Sequence, residues 1–83
     1  MAVSLNFAIA KELITFKLNS LQTTLNNILS FWNQDTVEQF IDKSKSGLLE
    51  NAEIDAITVR QLIVEIDNLQ SLLNSFQVQN LSN

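Results

Sequence analysis

The sequence predicts an all-α fold, an antiparallel helical hairpin of two long helices joined through a short connecting helix. Three observations carry that prediction. Glycine occurs once, at Gly47, and proline not at all, whereas strand-rich folds need both residues for their frequent turns. Apolar residues in each half recur at steps of three and four, the spacing of one helix face. The pattern breaks only at Asn33-Gln34-Asp35 and again from Lys43 to Gly47, which leaves room for few, long elements.

The first helix is expected from about residue 4 to residue 32, with Ser4 as its N-cap. Phe7, Ile14, Leu18, Leu21, Leu25, Ile28 and Trp32 form its main seam. Lys11 interrupts that seam, and its long stem can lie along an apolar surface with the ammonium in water. Asp35 then reads as an N-cap, with Glu38 three residues later completing a capping-box-like pair. The short helix this starts, about residues 36–46, turns Val37, Phe40 and Ile41 to one side. Lys43 and Lys45 suit its C-terminus, Gly47 suits the left-handed residue just beyond, and Leu48 would be the apolar contact of that cap. A third helix over about residues 49–77 carries Val59, Leu62, Ile66, Leu69, Leu73 and Phe76 on its seam. Glu50, Glu53 and Asp55 stand at its start, where the helix dipole favours negative charge. A frayed tail is expected over residues 78–83.

Length fixes the topology. The two long helices each span roughly 40 Å at 1.5 Å per residue, and a middle helix of about ten residues covers only ~15 Å. It cannot return the chain to its starting end, so the third helix is expected to run antiparallel to the first. A three-helix up-down-up bundle would need a longer middle element.

One feature lies outside this scheme. At about 100° per residue, Leu5, Ile9, Leu13 and Phe16 fall together on the side of the first helix opposite Phe7, Ile14 and Leu18. The third helix shows a weaker version, with Ile57 and Val64 away from its main stripe and Ile63 between. A hairpin covers one face of each helix, and an apolar patch of several hundred Å² in water usually marks an interaction surface. Leu5, Ile9, Leu13 and Phe16 are therefore the candidate interface. Two copies sharing it would form a four-helix bundle as a homodimer with twofold symmetry. The bland alternative is that the short helix folds back, or the long helices cross steeply, and this face is ordinary core.

Composition restricts function further. At 83 residues the chain is a single helical domain, and one of this size buries only about 60% of its unfolded surface. Formal net charge is −4, with five basic residues. Phosphate-backbone binding is driven by Lys and Arg, so neither nucleic acid nor an anionic membrane is an expected partner. Cysteine and histidine are absent, which removes thiol chemistry, imidazole bases and the usual transition-metal ligands. The Glu50, Glu53 and Asp55 cluster lacks the alternating ligands and internal glycine of a calcium loop. Glu65 and Asp67, two apart on a helix, point in different directions and make a poor acid–base pair. Arg60, the one arginine, sits among acidic neighbours and is expected in a local ion pair. Trp32 is expected to seal the core over Phe40 and Ile41. No catalytic, cofactor-binding or metal site is predicted, and the chain is not expected to be an enzyme.

The N-terminus has no basic stretch ahead of an apolar run, so no secretory signal is predicted. Residues 18–34 are uncharged but carry Asn19, Gln22, Asn26, Asn27 and other polar groups that hydrocarbon would reject. A soluble cytoplasmic protein is expected. Those amides could instead hydrogen-bond across an interface without the desolvation cost of charge. The expected function is a non-enzymatic protein–protein interaction or adaptor module acting as a homodimer. The alternative is a small acidic inhibitor of a basic protein, of the immunity, antitoxin or phage-encoded blocker type, with the acidic residues from Glu50 to Asp67 as its contact.

Overall fold

The structure, a computed structural model, describes the backbone of residues 2–81 and the side chains of residues 6–76. The described residues are helical, with no strand among them: α1 is Ala2–Phe31, α2 is Val37–Lys45 and α3 is Glu53–Leu81. α1 starts ahead of Ser4, which therefore lies inside the helix and is not its N-cap. α3 starts later than its acidic residues suggested, at Glu53, and continues past Phe76 and Val78. Residues 82 and 83 of the expected frayed tail lie outside the described residues.

α1 and α3 pack as an antiparallel hairpin. At one end Phe7 meets Phe76 edge-on, with ring centroids 5.0 Å apart. At the other end Trp32 reaches Asp55. α2 lies on α3 beside that second end. The molecule is a rod of 55 × 18 × 18 Å with a radius of gyration of 16.7 Å, against about 12 Å for a compact chain of this length.

Both turns are built by the same device. At the end of α1, Asn33 takes a left-handed φ of 56°. The Gln34 amide donates to the Leu29 carbonyl at 2.9 Å and the Asn33 amide to Ser30 at 3.1 Å. At the end of α2, Gly47 takes φ 81°, Leu48 donates to Lys43 at 3.0 Å and Gly47 to Ser44 at 3.3 Å. These paired bonds are Schellman motifs, which satisfy the last carbonyls of a helix. The expected apolar contact of the second cap is not made by Leu48, which is exposed; Leu49 packs against the core in its place.

The N-cap of α2 is Thr36, not Asp35. Its backbone is extended and its hydroxyl accepts from the Gln39 amide at 3.1 Å. Gln39 Oε1 in turn accepts from the Asp35 amide at 3.4 Å. Thr36 and Gln39 thus form a box-like pair one residue later than Asp35 and Glu38. Both registers fit the pattern, and the structure takes the one capped by Thr36.

The core runs along the inner faces and is tightest at the connecting end. Ile14, Leu18, Leu21, Leu25 and Leu29 pack with Val59, Leu62 and Ile66. Ala52 and Ala56, small and buried at the start of α3, share the core cluster with the Phe40 ring of α2, which is fully enclosed. Toward the open end of the hairpin burial thins. Phe7, Leu69, Leu73 and Phe76 are only half-buried there.

Candidate functional site

The outer face of α1 stands at that thinly packed open end. Ile9, Leu13 and Phe16 are exposed by 48%, 64% and 74%. α2 packs on α3 near the opposite end, so it does not fold back over them. The inner face of α1 is committed to α3 through Ile14 and Leu18, both buried. Among the described residues, therefore, nothing covers the face that Ile9, Leu13 and Phe16 line. Leu5 belongs to the same face by helical spacing, but its side chain lies outside the described residues.

Physical cause and sequence agree here. Steps of four and three from Ile9 to Leu13 to Phe16 hold the three side chains on one stripe of α1. Continuing those steps gives Ser20, Thr23 and Asn27, all exposed. The stripe is therefore apolar for its first half, polar for its second, and uncharged throughout. α1 carries three charged residues, Lys11, Glu12 and Lys17. At about 100° per residue Glu12 and Lys17 border the stripe on opposite sides, while Lys11 falls toward the inner seam.

α3 also shows apolar side chains to solvent. Ile57 and Val64 are exposed as the spacing implied, and Ile63 is half-buried. Ile54 and Leu72 extend the same side and were not singled out in the sequence reading, although the wheel places them there. Polar Gln61 and Asn68 interrupt this row, and both are exposed. Beside it Arg60, Gln61, Val64 and Glu65 line a shallow, open depression with no enclosed ligand volume. Phe31 and Leu48 are exposed singly at the connecting end.

The acidic residues do not assemble a site. Asp55 accepts a hydrogen bond from Trp32 Nε1 at 2.8 Å, which removes it from the cluster read with Glu50 and Glu53. Among the described residues no group of three or more acidic side chains is placed to hold a metal ion. Glu65 and Asp67 are both exposed. Trp32 does seal the end of the core, with its ring centroid 6.1 Å from that of Phe40. Its hydrogen bond to Asp55, 23 positions away, was not legible in the sequence. No described helix is long and apolar enough to cross a membrane. Comparison with known proteins gives no match to a protein family, a curated protein or a solved structure.

Proposed function

We propose that this protein is a non-enzymatic helical interaction module that acts as a homodimer through the outer face of α1. The observation that carries the reading is the exposure of Ile9, Leu13 and Phe16 on a face that no part of the described chain covers. A hairpin leaves this face of α1 without a partner, and three large apolar side chains on one stripe are the kind of patch that marks an interaction surface. In such a dimer the two α1 helices lie at the centre and the two α3 helices outside, a flattened four-helix bundle.

The absence of histidine and cysteine and the scatter of the carboxylates favour a binding role over catalysis. The same outer face would serve a solution dimer in the cytoplasm, where the reading places the protein.

The test is dissociation by charge. Leu13 is 64% exposed, and burying what remains in both copies contributes about 2–4 kcal/mol. Leu13→Glu should therefore weaken dimerisation by at least about tenfold, and Ile9→Glu with it should leave a monomer in sedimentation. Helicity by circular dichroism tells dissociation from unfolding. A double variant that stays folded and dimeric rejects the face.

A second reading follows from charge. Glu50, Glu53, Glu65 and Asp67 are exposed on or beside α3, a surface suited to a basic protein. Binding to such a partner that vanishes with moderate salt, and survives Leu13→Glu, would favour an acidic inhibitor over the adaptor.

A further inference from the structure

The outer stripe of α1 also encodes how two copies would meet. Ile9, Leu13, Phe16, Ser20, Thr23 and Asn27 follow steps of four, three, four, three and four, all on exposed positions. That is the repeat of a two-stranded coiled-coil seam. We infer that a second copy of this chain docks on the stripe in parallel and in register, α1 against α1. The inference rests on the homodimer reading above and adds the orientation and the pairing.

Two observations support this arrangement, and the second fixes its orientation. The first is segregation along the seam. In parallel register each residue faces its own counterpart, so Ile9, Leu13 and Phe16 meet apolar partners and Ser20, Thr23 and Asn27 meet polar ones. In the antiparallel registers that bring Leu13 opposite Phe16 or Thr23, Ile9 faces Ser20 or Asn27. An apolar side chain then sits against an amide or hydroxyl, leaving polar groups desolvated without a partner. The shorter antiparallel overlap that sets Ile9 opposite Leu13 escapes this clash, and charge decides against it. An Asn facing its own copy can instead donate and accept across the axis, the arrangement by which a polar seam residue sets register.

The second observation is charge. Glu12 and Lys17 are exposed, border the stripe on opposite sides and are five positions apart. In a parallel pair of helices the residue just before one core position of the first copy lies beside the residue five further along on the second. Glu12 of each copy then meets Lys17 of the other, twice by symmetry. In an antiparallel pair the two residues fall on opposite sides of the seam and cannot meet.

The chain has no cysteine, so single-cysteine variants report position without background. Thr23→Cys lies on the polar part of the stripe and leaves Ile9, Leu13 and Phe16 intact. Oxidation should link it to itself in a covalent dimer. In the antiparallel register that sets Thr23 opposite Leu13, the two Thr23 positions are about 15 Å apart, beyond disulfide reach. Sedimentation of the unlabelled protein is run beside it. A reduced dimer that forms the Thr23→Cys disulfide supports the inference. A dimer that forms no such disulfide overturns the parallel pairing and leaves the homodimer reading standing. A monomer overturns both, and a trimer or tetramer overturns the commitment to one second copy. Charge exchange gives a separate readout. Glu12→Lys and Lys17→Glu should each weaken dimerisation roughly tenfold, and the double exchange should restore it. Failure of the double exchange to restore it contradicts the pairing.

Discussion

Replacing Trp32 and Asp55, singly and together, measures the one side-chain hydrogen bond that ties the end of α1 to the start of α3. Trp32 Nε1 donates to Asp55 Oδ2 at 2.8 Å in a part-buried setting, and the indole also leans on the enclosed Phe40 ring. Hydrogen bonds to charged groups contribute about 1.5–3 kcal/mol. Partial exposure of Asp55 screens the charge, which sets the expected coupling at about 1–2 kcal/mol. Whole domains hold roughly 0.05–0.15 kcal/mol per residue, so about 4–12 kcal/mol for a chain of this length. One bond at the rim of the connecting end is thus a sizeable fraction of the total. Trp32→Phe loses the bond and some packing area, Asp55→Ala loses the bond and the favourable dipole position, and the double variant loses all of these. The cycle cancels the terms that are not shared and leaves the coupling. Urea titration followed by circular dichroism reads it, at one fixed protein concentration because the proposed dimer would shift apparent stability. A coupling below about 0.3 kcal/mol would refute the reasoning, since that is the scatter of independent sites.

Further substitutions probe other parts of the fold. Phe40→Ala empties the one large aromatic site that is fully enclosed; it should cost about 3–5 kcal/mol, a large share of the total and a marked drop in the urea midpoint, whereas Phe40→Leu should lower it much less. Gly47 has φ 81° and nothing within 4 Å of an added Cβ. Gly47→Ala should therefore cost about 1–2 kcal/mol from backbone conformation alone, and Gly47→Asn less, since Asn tolerates that region. Thr36→Ala should cost about 0.5–2 kcal/mol as the loss of an N-cap, while Asp35→Ala should stay within about 0.5 kcal/mol. The reverse order for those two would return the cap to Asp35.

The parts of this fold that are periodic were legible in the sequence. Leu18, Leu21, Leu25, Val59, Leu62 and Ile66 sit where a helix wheel puts them, and all are buried. The uncovered face of α1 was legible for the same reason: Ile9, Leu13 and Phe16 share a stripe, and a hairpin has only one inner side. Gly47 was legible because a left-handed position beyond a helix favours glycine. What periodicity does not encode was missed. Ala52 and Ala56 are buried in the same core cluster as Phe40, a tertiary fact that small side chains do not announce. The Trp32 to Asp55 bond joins residues whose proximity exists only after the hairpin closes. Thr36 and Asp35 offer equivalent caps in sequence, and the structure uses Thr36. Leu48 is exposed while Leu49 packs, a difference set by the direction in which the Gly47 turn releases the chain.

The central claim is that the outer face of α1 joins two copies, and the most direct measurement is the mass of the protein in solution. Sedimentation equilibrium across tens of micromolar should give twice the 9.4 kDa chain mass, falling to the single mass when Ile9→Glu and Leu13→Glu are combined, with helicity retained. A single mass for the unaltered protein at every concentration, with the fold intact, would contradict the account.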